Sequence, residues 1–437
     1  MSASSDLPQT SQNLEIDKGL PPVKPPSGRF LFQLFVIPFL IVLGVVGVIW
    51  FVTWLVGGHL TPKGILQDLR NANPEVRWRR ASDLSQLLKR DDRLASDPSF
   101  ALSVAELLDD ALRSSETLEA AATNKPRSQK DVAGPSDPND LFADPDIGID
   151  ESLRNERNFI KFLIACMGNF AVPVGAPLLN EIVQKEKPPA IPEAVYRSRR
   201  RLAVWALGNL GNSLKRLDRL SFPEQEAVRE QLRKEVETAA PQRREWAKTA
   251  LAAIDSRFAK QPTALGVDQA LETAAHADDP ALRKLAALAL TFWQGNKDEN
   301  ERMENVLVEL TRDDGHGAKD EERSLRAAEI RFQAVQALAR RGSSKIQSRL
   351  PLLGEMLDEP RLAKLFQVKL KDGRQVADGA LVGSVMSGAL KSIAELAKTN
   401  PDIELSSLQP AIEKLANHDN PALRTEAQKT LLALKKR

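Results

Sequence analysis

The chain has 437 residues, which is more than one compact core of ordinary size holds and which suits several domains or an extended array. Its 61 Lys and Arg nearly balance its 59 Asp and Glu, so the net charge of +2 gives no general reason to expect a nucleic-acid partner. Aromatic residues make up 5% of the chain, which disfavours a β-sandwich and is normal for helices rich in Ala and Leu. The single cysteine, Cys166, excludes an internal disulfide, and one Cys with four scattered His provides no zinc site.

Residues 1–28 form a polar arm that contains the run LPPVKPPSG, and we expect this arm to be disordered. Residues 29–57 are predicted to form a transmembrane helix. Their central part, residues 30–56, has about 27 nearly continuous apolar positions without a charge, against the roughly 20 that span a bilayer. Aromatic residues lie near both ends of the run, as they do at membrane interfaces.

A cleaved signal peptide is the alternative interpretation of this apolar run. The long polar arm in front of it, its length and the absence of a small-x-small cleavage site favour an uncleaved single-pass anchor. Basic residues nearly balance on the two sides of the span. The cluster WRR, which contains Arg79 and Arg80, tips the prediction toward a cytoplasmic body.

From about residue 60 the sequence is helical in pattern and repeats itself. Arg200 is followed by Ala203 three residues on and by Leu207 seven residues on, and this spacing recurs at intervals of about 39 to 48 residues, close to the period of helical-pair repeats. On a helix these three positions form one narrow stripe, in which Ala allows a neighbouring helix to approach. At these intervals the copies begin at Arg244, Arg283 and Arg331. A further copy begins at Arg424, two such steps beyond Arg331, and a partial copy begins at Arg77, about three steps before Arg200.

A second motif marks where some of these helices begin. The runs NPEVRW, DPALRK and NPALRT each place an Asx-Pro pair just before the repeat arginine. Asn or Asp is a favoured helix cap, and Pro is favoured at the first helical position. The predicted caps are therefore Asn73 with Pro74, Asp279 with Pro280, and Asn420 with Pro421.

An arginine at the start of such a stripe requires an explanation, because the helix dipole disfavours a cation at a helix N-terminus. We therefore expect the repeat arginines to form an inter-repeat ladder, in which each reaches a carboxylate or exposed carbonyls of the adjacent unit. In the run RRRLAVWALGNLGN, one arginine of the triplet 199–201 is then a ladder residue and the other two are solvated neighbours. The alternative is surface charge without a partner, which contributes little to stability.

The runs NPEVRWRRASDLSQLL, DDPALRKLAALAL and DNPALRTEAQKTLLAL resemble HEAT repeats, and AVWALGNLGN resembles the second half of an armadillo unit. The resemblance covers residues 60–437, with gaps. It implies an all-α fold, a right-handed α-solenoid of HEAT-like helical hairpins, preceded by the single transmembrane helix. It also implies a scaffold or adaptor role, since HEAT arrays serve mainly in protein–protein interaction.

Three stretches depart from the repeat spacing. Residues 123–150 are polar and rich in Pro and Asp, and a solvated loop is favoured there over a Ca²⁺ site because the order of an EF-hand is not met. Residues 312–323 are a second charged loop. Residues 366–379 contain Asp372-Gly373 between short β-prone runs, which predicts a β-hairpin.

No catalytic, cofactor-binding or metal-binding residues are predicted. His276 and His418 lie at predicted helix ends, and the motifs of hydrolases, kinases and metalloproteases do not occur. The expected function is a membrane-tethered HEAT-repeat scaffold, not an enzyme, that binds an unidentified protein; small-molecule and nucleic-acid partners are not expected. Two alternatives stay open. One is a HEAT-like enzyme similar to bilin lyases or DNA glycosylases, and the other is an anionic lipid or nucleic-acid binder that uses the basic residues Arg197, Arg199, Arg200, Arg201, Lys215, Arg216 and Arg219.

Overall fold

The computed structural model describes residues 32, 36, 39–48, 61–123, 150–261, 265–370 and 373–435. The chain divides into two units, residues 1–61 and residues 62–437. In the first unit the described residues include the apolar helix α1 (Phe39–Val48). The predicted arm 1–28, most of the predicted span 29–57 and nearly all of the predicted loop 123–150 lie outside the described residues.

The second unit is an array of helices with one small β-hairpin. Its elements are α2 (Pro62–Leu69), α3 (Pro74–Leu87), α4 (Asp92–Ala95), α5 (Pro98–Thr123), α6 (Glu151–Asn169), α7 (Ala176–Gln184), α8 (Glu193–Ser213), α9 (Phe222–Thr238), α10 (Pro241–Phe258), α11 (Val267–Ala275), α12 (Pro280–Leu290), α13 (Lys297–Leu310), α14 (Asp320–Arg340), α15 (Leu350–Glu355), α16 (Glu359–Leu365), β1 (Gln367–Lys369), β2 (Gln375–Ala377), α17 (Gly379–Thr399), α18 (Gln409–Leu415) and α19 (Pro421–Lys435).

The helices form two layers of successive hairpins. The second helices stack in one continuous series, α3 on α6, α6 on α8, α8 on α12, α12 on α14, α14 on α17 and α17 on α19. The first helices α2, α5, α7, α11, α13 and α18 each pack on the second helix of their own hairpin, and the short α16 packs on α17. The α-solenoid predicted from the repeat spacing is confirmed, because consecutive units cover each other's second helices.

The repeat stripe accounts for this stacking. Its alanines, such as Ala203 and Ala286, are fully buried, and so are the leucines that follow them, Leu207 and Leu290. Where the helices come closest the residues are smaller still: a Cβ atom added to Gly168 would lie 2.7 Å from the backbone oxygen of Ala206. Small residues on the stripe therefore set the spacing between neighbouring units.

The hairpin α9–α10 does not belong to the stacked series, although Arg244, Ala247 and Leu251 repeat its spacing. Helix α8 packs directly on α12, while α10 packs on α9, on α5 and on the 3-10 turn Pro173–Gly175. The prediction that Arg244 begins a stacked unit is therefore wrong. The apolar stripe of α10 is buried against the first-helix layer and not against the stack of second helices. Packing in either place requires apolar residues at the same helical spacing.

The two remaining insertions are short. Strands β1 and β2 are antiparallel, with Val368 opposite Val376, at the place where the sequence predicts a hairpin. The charged loop predicted at 312–323 is shorter than expected, because α14 begins at Asp320.

One helix among the described residues, Gly379–Thr399, is long and apolar enough to cross a membrane by length and composition. This helix is α17 of the array. Its Met386, Leu390 and Ile393 are fully buried, and the helix packs between α14 and α19. Its apolar character is thus explained by its place in the core of the array.

The close approach of α6 and α8 leads to a prediction for Gly168→Ala. The added methyl group would overlap the backbone of Ala206, so we expect the free energy of unfolding to fall by about 1–3 kcal/mol. Gly383→Ala on α17 is the matched control, because nothing lies within 4 Å of its added Cβ and Ala favours a helix by about 0.5–1 kcal/mol. Denaturant unfolding followed by circular dichroism measures both. Equal effects of the two substitutions would contradict the close packing.

Candidate functional site

The arginine triplet on α8 reaches three different helices. Arg199 is 9% exposed, and its Nη2 donates to the hydroxyl of Ser115 on α5 at 3.1 Å. Arg200 donates from Nε to the carbonyl of Val183 in α7 at 2.9 Å. Arg201 donates twice to the carboxylate that precedes α12, at 2.6 and 2.7 Å. The expectation that two of the three are solvated is therefore wrong, because successive residues of α8 point to neighbours on different sides.

Two of the predicted ladder arginines reach carboxylates. Nη1 of Arg77 lies 3.4 Å from the carboxylate of Glu156 on the next second helix, and its guanidinium stands 4.2 Å from the centre of the Phe159 ring. Arg283 is 1% exposed and donates to both oxygens of Asp313 in the loop that follows α13, at 2.6 and 3.1 Å. These two arginines link adjacent units.

The other predicted ladder residues bond to carbonyls nearer in sequence. Arg244 donates to Ala239 and Arg424 donates to His418, each just before its own helix, at 3.1 Å. Arg331 donates to a carbonyl within its own helix, α14, at 3.3 Å. The six predicted ladder arginines, with Arg200 included, thus make two kinds of contact, some with carboxylates and some with backbone carbonyls. In the described residues they do not form one continuous ladder.

The predicted Asx-Pro caps have cap geometry. The prolines are the first residues of their helices, and the side-chain oxygen of the residue before each accepts from a backbone N–H two residues on. These bonds measure 2.9 Å for Asn73, 3.1 Å for Asp279 and 2.9 Å for Asn420. Asp279 also holds Arg201, so one carboxylate both begins α12 and links it to α8.

Further bonds between units lie at the opposite ends of the second helices, where the sequence analysis assigned none. Arg216 donates from Nη1 to the carbonyls of Leu88 and Asn169, which end α3 and α6. Arg341 donates from Nη1 to the carbonyl of Leu290, which ends α12. The last carbonyls of a helix have no intrahelical partner, and the dipole there favours a cation. The signal in the sequence is an arginine just after a second helix, at α8 and at α14.

A buried charge cluster surrounds Arg199. Arg157 on α6 donates to both oxygens of Glu119 on α5 at 2.7 Å, and these side chains are 4% and 1% exposed. Burial raises the pKa of Glu156, although the charges of Arg77 and Arg199 oppose that shift. Burial also lowers the pKa of Arg199 to about 10, so Arg199 stays charged at neutral pH.

Arg199 lines a cavity of about 160 Å³ in the first-helix layer. Helices α5, α7 and α8 and the connection between α7 and α8 form its walls, and Gln242 of the inserted hairpin lies at one side. The side chains of Arg113, Glu181 and Lys185 are more than half exposed, so the cavity opens to solvent there. The apolar part of the wall consists of Leu112, Leu178, Ile182, Pro188 and Ile191.

Two adjacent residues of α10 fix the inserted hairpin over this region. Arg243 donates to both oxygens of Glu235 on α9 at 2.7 Å, and it reaches Glu106 on α5 at 2.9 Å. Gln242 donates to Asp109 of α5 at 3.0 Å. The hydrogen bond from Arg243 lowers the pKa of Glu235, which keeps this carboxylate charged.

Asp313, Asp314 and His316 bring three potential metal ligands within 4.8 Å of one another. The guanidinium of Arg283 already bonds to both oxygens of Asp313 and lies 3.1 Å from Nε2 of His316. A metal cation at this place would be repelled by the positive charge of Arg283. We therefore assign a structural role to these three residues, which hold the loop before α14 in place.

Cys166 lies in the core of the stacked helices. It is fully buried, and its thiol donates to the carbonyl of Ala81 on the neighbouring second helix at 3.6 Å. Burial raises the pKa of this thiol, which disfavours the reactive thiolate. Cys166 therefore packs as a small apolar residue in the interface between these two helices.

No family model matches this chain, and no curated protein matches it. Similar solved structures include a designed armadillo repeat protein, at 17% identity over 59% of this chain and 99% of that one, with a TM-score of 0.27. An engineered protein is 14% identical over 86% and 99% of the two chains, with a TM-score of 0.28. Human deoxyhypusine hydroxylase is 14% identical over 88% and 99%, with a TM-score of 0.22. At these TM-scores nothing about ligands or activity transfers to this chain.

The contacts of α10 predict that Arg243 and Arg244 differ, although they are adjacent. Arg243→Met would leave the largely buried Glu235 without its partner and would remove the bond to Glu106, at a cost of about 3–5 kcal/mol. Arg244→Gln removes one bond to a carbonyl, for about 1 kcal/mol. Hydrogen exchange over α9 and α10, read by mass spectrometry, measures the local stability. If Arg244→Gln opened the hairpin as much as Arg243→Met, the assigned contacts would be wrong.

Proposed function

We propose that this protein is a membrane-tethered scaffold that binds a protein partner along its stacked second helices and has no enzymatic role. The observation that carries the proposal is the continuous stack of second helices from α3 to α19. Arrays of this kind offer long binding surfaces because each unit adds to the same layer. A tether would raise the effective concentration of the partner at the bilayer.

The charges of the second helices favour a protein partner over a polyanion. They form ion pairs between neighbouring units, such as Arg201 with Asp279 and Lys284 with Glu329, so that both signs are present. The basic residues of the alternative hypothesis point in different directions, since Arg199 is buried against α5 while Arg216 contacts the ends of α3 and α6. Binding of a nucleic acid or an anionic lipid surface depends on basic residues that act together on one face.

The proposed tether is the apolar run 30–56. Its described part includes α1, where the side chains of Phe39, Ile41 and Val48 are more than 60% exposed. Exposed apolar side chains in a charge-free helix are unfavourable in water and favourable in hydrocarbon. The basic residues that follow the span support a cytoplasmic location for the array.

The tether is tested by extraction of native membranes with alkaline carbonate. We expect the full-length chain to stay in the membrane pellet. The double substitution Leu43→Arg and Val46→Arg places two charges in the apolar run, each costing about 2.5–3.5 kcal/mol at a span centre, and should release the protein. Leu43→Ile with Val46→Ile is the matched control. Wild-type protein in the supernatant would exclude the anchor.

The binding surface is tested by photo-crosslinking from defined positions in native membranes. A benzophenone amino acid is placed at Ser198 on α8 and Gln333 on α14, both second helices, and as controls at the exposed Gln269 and Glu301 on first helices. We expect the same partner to be crosslinked from both second-helix positions and from neither control. Crosslinks that favour the controls would place the binding surface on the other layer and overturn the assignment.

A further inference from the structure

We propose that the cavity at Arg199 binds a short aliphatic carboxylate, supplied either as the C-terminal residue of a polypeptide or as a free acid. Only the polypeptide source rests on the proposed scaffold function. The site lies between the first helices α5 and α7 and the second helix α8, beside the inserted hairpin α9–α10.

Arg199 is a buried cation that bonds to a hydroxyl and to no carboxylate of the described chain. This cation is about nine-tenths buried, and its hydrogen-bond partner among the described residues is a neutral hydroxyl, that of Ser115. The charges of Glu119, Glu116 and Glu156 act on Arg199 from nearby, but none of these carboxylates bonds to it. An arginine presents a planar fork of donors that fits a carboxylate. Its remaining donors have no acceptor in the described chain. An anion that enters the cavity would therefore meet donors that are already in place.

The acids closest to Arg199 form their ion pairs with other cations. Glu119 takes two bonds from Arg157, and Glu156 pairs with Arg77. At the cavity wall, Lys185 lies 3.9 Å from Glu116 and 3.8 Å from Glu181, and Arg113 pairs with Asp109. The remaining acid of the wall, Glu186, is exposed at the solvent side. Within the described chain, the buried end of the cavity thus has a cation with no carboxylate bonded to it.

The cavity also has an apolar wall and room for a small ligand. Leu112, Leu178, Ile182 and Ile191 provide an apolar surface in the same cavity as Arg199. A cavity of about 150 Å³ holds a molecule as large as benzene, so the 160 Å³ here suits a ligand of about six to eight non-hydrogen atoms. A branched aliphatic carboxylate matches both the volume and the wall, whereas phosphate or sulfate would leave the apolar part unfilled.

The test uses the full-length protein in detergent micelles and four probes, measured by ligand-detected NMR and calorimetry. Isovalerate and isovaleramide have nearly the same shape and differ in charge, and a tetrapeptide that ends in valine is used with a free or an amidated C-terminus. We expect isovalerate to bind and isovaleramide to bind at least about tenfold more weakly, because a charged hydrogen bond is lost. Binding of the free-terminus peptide assigns the polypeptide source, and binding of isovalerate without the peptide assigns a free acid.

Three variants locate the site. Arg199→Gln removes the charge while keeping a donor for Ser115, and it should weaken isovalerate binding by about tenfold or more. Ile182→Phe fills the apolar wall and should abolish binding while Arg199 remains. Arg197→Gln is the matched control on the same helix, since Arg197 is exposed, pairs with Glu193 and is not part of the cavity wall, and it should bind like the wild type.

Circular dichroism establishes that each variant is folded. Because Arg199 bonds to no carboxylate in the described chain and glutamine keeps a donor for Ser115, Arg199→Gln is expected to stay folded. Equal binding of the acid and the amide, or unchanged binding in both Arg199→Gln and Ile182→Phe, would overturn the proposal. If no partner is crosslinked from Ser198 and Gln333 in native membranes, the scaffold function is overturned instead. Failure of the ligand proposal and failure of the scaffold proposal are therefore distinguishable.

Discussion

The close contact between consecutive second helices is the constraint on which the rest of the structure depends. Helix α6 lies against both α3 and α8, and most of its residues are buried. The approach of Gly168 to Ala206 shows how near the backbones come. At that spacing, side chains of one unit reach backbone carbonyls of the next: Asn169 donates to Ser85 at 3.0 Å, and Trp293 donates to Leu207 at 2.9 Å. The packing of small residues and the polar bonds between units are thus two results of one geometry.

The same constraint explains where an insertion is tolerated. Helix α8 keeps its contact with α12, and the hairpin α9–α10 that separates them in sequence is displaced to the first-helix layer. There the hairpin needs its own attachment, which Arg243 and Gln242 provide through α5. The stack of second helices therefore stays unbroken, and the layer that accepts the insertion is also the layer that contains the cavity at Arg199.

Local features of the fold were predictable from the sequence, and the partners of charged residues were not. The Asx-Pro caps and the buried alanines depend on residues within one helix, so Asn73 and Ala203 follow from spacing alone. The contacts of Arg200 and Arg201 depend on which helices flank α8, and that is decided by the displaced hairpin. Arg244 shows the limit most clearly, because a helix that packs on the first layer needs the same apolar periodicity as one in the stack. The cavity at Arg199 combines side chains of α5, of α7 and α8 with their connection, and of α10, and no motif marks it.

Arg283 and Arg199 are both buried cations, but their hydrogen-bond partners differ. Arg283 is compensated completely, with Asp313 on two of its donors and the carbonyls of Ala277 and His316 on others, as expected for a residue that holds a loop in place. Arg199 is also buried but has a hydroxyl where Arg283 has a carboxylate. No carboxylate of the described chain bonds to Arg199, although Glu119, Glu116 and Glu156 act on it through their charges. A ligand carboxylate would bond to the donors of Arg199 that Ser115 does not use, and the open cavity beside Arg199 gives it a place to bind.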